Sequence, residues 1–161
     1  MRSRLAVRQA DFFQARFLIY NMSAWFQSHG RTQRRGLMKS RWEIHRGTRI
    51  FYFDLSHFGL DDEGVIAECD EADAVVMAEP SHSVLILNDV RGSVGSVDVI
   101  KYLQVSAERS SPFIAKAAVV GVTGSSRLLL QLVNRFSKIP IVPFDDIEDA
   151  KNWLVENRAA E

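Results

Sequence analysis

Two carboxylates and a hydroxyl stand where hydrophobic runs of the sequence end. Asp54, Asp89 and Thr123 each lie near the end of a short apolar run that is typical of a buried strand. The carboxyl ends of parallel strands meet at one edge of a sheet, so we expect these side chains there. A phosphoryl-accepting site at such an edge also needs a lysine that follows a strand, whereas Lys138 precedes the last one. The favoured interpretation is that Asp54 and Asp89 hydrogen-bond loop amides.

The stretch SVLILNDVRGSVGSVD, residues 83–98, combines a short buried strand, a Gly/Ser-rich loop and the start of an amphipathic helix. Ligands and partners usually meet an open α/β sheet at such a loop, after the carboxyl end of a central strand. We therefore expect the loop to bind a partner or to be phosphorylated. Its candidate residues are Asp89, Arg91, Gly92, Ser93 and Ser96.

A second loop, GVTGSS at 121–126, is a candidate anion-binding turn. Free amides and the helix dipole at a strand-to-helix turn can hold an anion. The residues concerned are Gly121, Thr123, Gly124 and Ser125. The loop lacks the length and the lysine of a P-loop and does not match G-x-G-x-x-G, so a tight turn with a helix cap is the favoured alternative.

No catalytic set is recognisable in the sequence. The four histidines, at positions 29, 45, 57 and 82, have no metal-ligand spacing, and no serine lies in G-x-S-x-G. Cys69 is the only cysteine, which excludes an intrachain disulfide and favours a buried structural thiol. We therefore expect a protein that is not an enzyme and has no cofactor and no metal.

The composition is that of a soluble globular protein. The chain has 161 residues, 47% of them hydrophobic and 25% charged, with a formal net charge of zero, and this charge argues against general nucleic-acid binding. The first 41 residues hold nine basic side chains and one acid, so the charge is unevenly distributed. We expect a cytoplasmic protein without an integral membrane span.

The basic N-terminal region, residues 1–37, is expected to be separate from a domain at 38–161. Its apolar run, FLIYNMSAWF at 17–26, is too short to cross a bilayer, which takes about 20 residues. Three interpretations remain open. The region is a helical arm packed on the domain or a partner, an Arg-rich organelle-targeting segment, or sequence upstream of a true start at Met38.

From Trp42 onward the pattern predicts a hairpin followed by alternating helices and strands. Such alternation implies parallel pairing, so we expect an α/β fold with a mixed sheet of about five strands and helices packed on it. Prolines assign the last strand to a sheet edge, and Asp145 is expected to cap the final helix. The predicted strands are 42–46, 50–55, 84–87, 113–120 and 139–144. The expected inward-facing helical residues are Val65, Cys69, Ala72 and Val76, then Val97, Ile100, Leu103 and Ala107, then Leu128, Leu129, Leu132, Val133 and Phe136, and finally Ile147, Ala150 and Leu154.

Over residues 42–155 this order of elements resembles the STAS domain family, typified by bacterial anti-sigma-factor antagonists, and its SpoIIAA-like relatives. The local markers are VLILNDV before a Ser/Gly loop, AVVGVTG before the next helix, and VPFDDIEDAKNWL near the end. The resemblance implies a SpoIIAA-like fold and a non-enzymatic regulatory domain that binds a protein partner.

In phosphorylatable STAS domains an Asp-Ser pair opens the helix that follows the loop, and the serine accepts phosphate from a partner kinase. The resemblance implies that Ser93 or Ser96 is the corresponding serine, although the preceding acid is missing. More distantly, the fold resembles the lipid-binding CRAL-TRIO domain. This likeness makes a small apolar ligand of lipid type the alternative expectation.

Overall fold

The computed structural model describes residues 38–124, 130–131, 134–135 and 139–156. The expectations for residues 1–37 and for the inner face of a helix at 128–136 lie outside these residues, and so does Ser125. Among the helices that are described, none is long and apolar enough to cross a membrane.

One mixed sheet of five strands forms the centre of the fold, in the spatial order β1-β2-β3-β4-β5. The strands are β1 Arg41–His45, β2 Thr48–Asp54, β3 Val84–Asp89, β4 Ile114–Val120 and β5 Ile141–Phe144. The first pair is an antiparallel hairpin, and all the other pairs are parallel. The predicted α/β class, the five-stranded mixed sheet and the edge position of the last strand are confirmed, and the architecture is consistent with a SpoIIAA-like α/β fold.

Three α-helices are present in the described part of the chain: α1 Asp62–Val76, α2 Val97–Ser110 and α3 Ile147–Val155. Each helix is capped by a side chain that accepts a hydrogen bond from an amide of the first turn. The capping residues are Asp61, Ser96 and Asp146 respectively. The prediction of Asp145 as the last cap is wrong by one residue. Asp146 has the extended backbone that a cap needs and accepts from the amides of Glu148 and Asp149.

The sheet is covered on both faces, so alternate residues of its central strands enter two separate cores. On the first face, Phe51, Phe53 and Ile86 pack with the α1 side chains Val65, Cys69, Ala72 and Val76 and with Val99 of α2. On the second face, Ile50, Leu85 and Leu87 pack with Ala150 and Leu154 of α3. Burying such a side chain stabilises the fold by about 1.5–3 kcal/mol. The continuous apolar run of β2 is thus explained by burial on both sides.

Val97, which was expected to face inward, and Ile44 of β1 are both exposed. Val97 is 68% exposed, and the buried residue of the first turn of α2 is Val99. The inner stripe of this helix continues through Ser106 and Ser110, whose polarity hides it from a hydrophobic pattern. Ile44 is also 68% exposed, because it pairs with exposed Arg49 at the solvent end of the hairpin.

Candidate functional site

Three parallel strands end at the same level, and this edge carries most of the candidate residues. Asp54 of β2 lies opposite Asp89 of β3, and Asp89 lies opposite Val120 of β4. The sheet therefore brings the two carboxylates to one edge, as their positions in the sequence predicted. Thr123 lies three residues beyond Val120 and is exposed.

Asp89 is fully buried, and its carboxylate is occupied by neighbouring groups. Arg91 donates to Oδ1 from its backbone amide at 3.1 Å and from Nε at 2.9 Å, and to Oδ2 from Nη2 at 2.7 Å. The hydroxyl of Tyr52 also donates to Oδ2. Burial acts to raise the pKa of Asp89, but the hydrogen bonds from Arg91 and Tyr52 outweigh it and hold the pKa below its usual value. This carboxylate fixes the loop and is not available to accept a phosphoryl group.

Asp89 in turn raises the pKa values of Tyr52 and Arg91. Burial and the hydrogen bond to Asp89 raise the pKa of Tyr52 to about 12. The hydrogen bond to Asp89 likewise raises the pKa of the Arg91 guanidinium. The tyrosine therefore stays a neutral donor and the arginine a cation over the whole physiological range.

Asp54 caps the adjacent turn and is held by cations. Its Oδ1 accepts from the amide of Ser56 at 3.1 Å and from the Ser56 hydroxyl at 2.5 Å. Lys39 lies 3.4 Å from Oδ1, and Arg41 lies 3.6 Å from Oδ2. Burial acts to raise the pKa of Asp54, but the bonds from Ser56 and the charge of Lys39 lower it on balance. The structure thus agrees with the loop-amide role that the sequence favoured for Asp54 and Asp89.

Beyond the strand ends, the loop after β2 and the docking loop, which we define as residues 89–96, stay hydrogen-bonded to each other. The amide of His57 donates to the carbonyl of Arg91 at 2.7 Å, and the amide of Gly59 to the carbonyl of Gly92 at 3.1 Å. The amide of Val94 donates back to the carbonyl of Gly59 at 2.8 Å. The two loops therefore extend the parallel pairing and have a defined relative position.

Ser93 joins the two loops through its side chain. Its hydroxyl donates to the carbonyl of Leu55 at 2.6 Å and accepts from the amide of Phe58 at 2.9 Å. A phosphate on Ser93 would remove its O–H donor and force both partners apart. Ser93 is therefore positioned as a structural serine.

Ser96 is the N-cap of α2, and its hydroxyl oxygen accepts from the amide of Val99 at 3.2 Å. The residue is only partly buried. Negative charge at this end of a helix is stabilised by the helix dipole. Of the two candidate serines, Ser96 is the one whose position is compatible with a phosphate group.

Three apolar side chains are exposed beside these loops, and we call them the apolar patch: Leu60, Val94 and Val97, which are 82%, 61% and 68% exposed. They make up three of the five large hydrophobic side chains that are exposed among the described residues. Leu60 and Val94 lie on the two joined loops, where the amide of Val94 donates to the carbonyl of Gly59, and Val97 begins α2.

Exposed acidic side chains adjoin the patch residues in the sequence, and we call them the acidic rim. Asp61 and Glu63 are exposed next to Leu60, and Asp98 follows Val97 with a side chain that is 89% exposed. Lys101 lies 3.5 Å from Asp98 and neutralises part of this charge. A partner with basic residues around an apolar centre would match this surface.

The candidate anion-binding turn lies against the docking loop. Gly121 has a φ of +90°, and a Cβ there would lie 2.5 Å from Cγ of Arg91. Gly124 also has a positive φ, of +50°, but among the described residues none would contact a Cβ there. Glycine at 121 is thus explained by close packing on Arg91, which joins the loop after β4 to the docking loop.

Metal binding and thiol reactivity were the other chemistries to consider among the described residues. Within the described residues, no cluster of three or more His, Cys, Asp or Glu side chains is placed to hold a metal ion. Cys69 is buried, and burial raises the pKa of its thiol, so the side chain stays protonated and unreactive.

Sequence reasoning missed two groups that hold the carboxylates: Tyr52, which donates to Asp89, and Arg41, which lies 3.6 Å from Asp54 as an ion-pair partner. Arg41 lies opposite Tyr52 in the hairpin register, and its guanidinium carbon lies 4.5 Å from the centre of the tyrosine ring. The two-residue spacing of Tyr52 and Asp54 places both on one face of β2. From that spacing, Tyr52 could have been predicted to lie beside the carboxylates.

Comparison of the chain with known proteins found no match among protein-family models, curated proteins or solved structures. The role of the docking loop therefore rests on its geometry and on the charges around it.

Proposed function

We propose that this chain is a non-enzymatic regulatory domain that binds a protein partner through the docking loop and the start of α2. The observation that carries the proposal is the apolar patch: Leu60 and Val94 are exposed on two loops that are hydrogen-bonded to each other, and Val97 is exposed at the start of α2. The resemblance to STAS domains supports the same surface, since their regulatory serine lies at the equivalent loop. The proposal assigns no catalytic residue.

The fixed position of the loops favours binding. A loop that must be ordered on association loses conformational entropy, which weakens the complex. Here the Asp89–Arg91 ion pair and the hydroxyl of Ser93 already hold the backbone. The partner therefore meets a surface that needs little rearrangement.

The charge around the patch defines the chemistry of the partner. The rim formed by Asp61, Glu63 and Asp98 favours a protein whose apolar contact residues are surrounded by Lys or Arg. Complementary charge raises the association rate and selects between partners more than it adds affinity. We expect the association to weaken as salt concentration rises.

Phosphorylation, if it regulates the complex, is proposed for Ser96 and not for Ser93. A phosphate at the N-cap of α2 keeps oxygen acceptors for the first-turn amides and adds about −1.5 to −2 charges beside the patch. Mass spectrometry of the protein from its native organism tests this assignment. A phosphate found on Ser93 would contradict it.

Photo-crosslinking tests the docking surface directly. A benzophenone amino acid in place of Val94 is expected to form a crosslink to one discrete protein in cells of the native organism. The control has the same amino acid in place of Ile44, which is also 68% exposed but lies on the hairpin away from the patch. Equal crosslinking from both positions, or none from position 94, would contradict the proposal.

The crosslinked protein is then purified and titrated against the wild-type chain. We expect saturable binding with a 1:1 end point, and weaker binding when the added salt is raised. A captured protein that does not bind the purified chain would count against the docking role. The proposal includes a cytoplasmic location, where the regulatory partners of STAS domains act.

A further inference from the structure

An apolar cavity of about 190 Å³ lies between the first face of the sheet and helices α1 and α2. Its walls include Phe53, Val65, Ile86, Ile100, Leu103 and Ala107. Ile100, Leu103 and Ala107 of α2 were expected to face inward, and they do so by lining this cavity.

The ionisable group in the cavity wall is already paired. Asp73 accepts from the hydroxyl of Ser106 at 3.0 Å and pairs with the guanidinium of Arg109 at 2.5 Å. The hydroxyl of Ser110 donates to the carbonyl of Ser106 at 2.8 Å. In the described part of the chain, no buried side-chain nitrogen or oxygen lacks a hydrogen-bond partner. The walls therefore do not require a charged ligand.

Asn88 places one polar group at the cavity. On β3 the alternation of Val84 and Ile86 on the first face brings Asn88 to the same face, where an apolar side chain would be expected. Its amide nitrogen donates to the carbonyl of Ala118 at 2.7 Å. An amide carries two N–H groups and an oxygen, so this bond leaves hydrogen-bonding capacity for a ligand.

The size of the cavity limits its occupant. An apolar cavity of roughly 150 Å³ binds benzene, whereas pockets for drug-sized ligands begin at about 300 Å³. The cavity volume of about 190 Å³ lies between these values and nearer to the first. A single aromatic ring fits within this volume.

We propose that this cavity binds a small uncharged molecule with an apolar body of single-ring size and one group that hydrogen-bonds Asn88. Val94 is both part of the cavity wall and 61% exposed, so the cavity reaches the surface at the docking loop. The ligand enters beside this residue. The site is independent of the docking proposal, because neither needs the other.

Methyl NMR with toluene and phenol as probes tests the site. Both probes are expected to shift the methyl signals of Val65, Ile86, Ile100 and Leu103 in a saturable way. Asn88→Leu is expected to weaken phenol binding roughly threefold to tenfold, because the hydroxyl loses its hydrogen bond, while leaving toluene binding in place.

Ala107→Leu fills the cavity from α2 and is expected to abolish binding of both probes. The matched control is Ala67→Leu, the same substitution at an exposed position of α1 that does not line the cavity. Ala117→Val is a second filling variant in case Ala107→Leu does not fold. Absence of saturable shifts in the wild type, or binding that survives in a folded filling variant, would overturn the proposal. Neither result would bear on the crosslinking from position 94.

Discussion

Asp89 and Asp73 are both buried, yet their environments shift their pKa values in opposite directions. Burial acts to raise the pKa of Asp89, but the bonds from Arg91 and Tyr52 outweigh it and lower the pKa. For Asp73, burial dominates and raises the pKa, despite the bonds from Arg109 and Ser106. The number and geometry of the donors explain the difference, since Arg91 alone makes three hydrogen bonds to Asp89.

The first prediction follows from the lowered pKa of Asp89. Asp89→Asn should reduce the free energy of unfolding at pH 7 by about 1–3 kcal/mol, because it weakens charge-assisted hydrogen bonds. A carboxylate whose pKa is lowered in the folded state stabilises the protein at pH values above its pKa in the unfolded chain, which is about 3.9. This stabilisation is lost as pH falls through the folded pKa. Urea unfolding at pH 7 and at pH 3 should therefore show the gap between wild type and variant closing at the lower pH.

Asp73→Asn is the comparison for that experiment. A raised folded pKa means that the contribution of Asp73 to stability is largest at low pH and is lost as pH rises through the folded pKa. The neutral substitute should therefore cost less at pH 7 than Asp89→Asn does. A larger cost for Asp73→Asn, or a gap for Asp89→Asn that widens at pH 3, would contradict the assignment.

The second prediction concerns Ser93. Ser93→Ala removes the acceptor of the Phe58 amide and the donor to the Leu55 carbonyl. We expect a loss of about 1–3 kcal/mol in the free energy of unfolding and faster hydrogen exchange at the Phe58 amide. Ser81→Ala, at an exposed turn position, is the control and should change neither quantity. Unchanged exchange at Phe58 would show that the hydroxyl does not join the loops.

Among the elements, the loop after β4 supports the docking loop through close packing. A Cβ at Gly121 would lie 2.5 Å from Cγ of Arg91 and 2.7 Å from its amide nitrogen. The neighbour that would have to move is partly backbone, so the clash is not relieved by a rotamer change. The packing thus transmits any change at Gly121 to Arg91 and its ion pair with Asp89.

The third prediction compares two glycines of that loop. Gly121→Ala should destabilise the fold strongly, by more than about 1 kcal/mol, because it combines a positive φ with this clash. Gly124→Ala has the positive φ of +50° but no neighbour within 4 Å in the described part of the chain, so its cost should be limited to the backbone strain. Thermal unfolding of both variants measures the difference. Equal loss of stability in the two variants would contradict the packing argument.

The elements themselves were predictable because their hydrophobic periods are strong. The strands β2, β3 and β4 and the inner stripe of α1 were placed correctly, since burial on fixed periods leaves a clear pattern. On α2, Ile100, Leu103 and Ala107 face inward as predicted, whereas Val97 is exposed and the buried positions of Ser106 and Ser110 were missed. Local hydropathy does not distinguish such serines from exposed ones.

The candidate site was less predictable, because its geometry depends on register between distant segments. Tyr52 and Asp89 are 37 residues apart and meet only through the pairing of β2 with β3. Ser93 was singled out correctly as part of the loop, but its two bonds to residues 55 and 58 have no local signal. The exposed apolar patch likewise appears only after the helix faces are known.

At the scale of the whole molecule, the candidate interaction surface lies at the carboxyl edge of the sheet. Both faces of the sheet are buried under helices, and the loops at this edge carry the apolar patch and the acidic rim. The cavity reaches the surface at the same edge through Val94. A partner bound to the patch would therefore contact the loop that borders the cavity.

The most direct test of the docking role is the dissociation constant of the crosslinked partner for a patch variant. Leu60→Ser combined with Val94→Ser should weaken binding by about tenfold or more, because removal of central apolar contacts typically costs over 1 kcal/mol each. Ile44→Ser removes an equally exposed hydrophobic side chain elsewhere and should leave the constant unchanged. An unchanged affinity in the folded double variant, or an equal loss in Ile44→Ser, would contradict docking through the apolar patch.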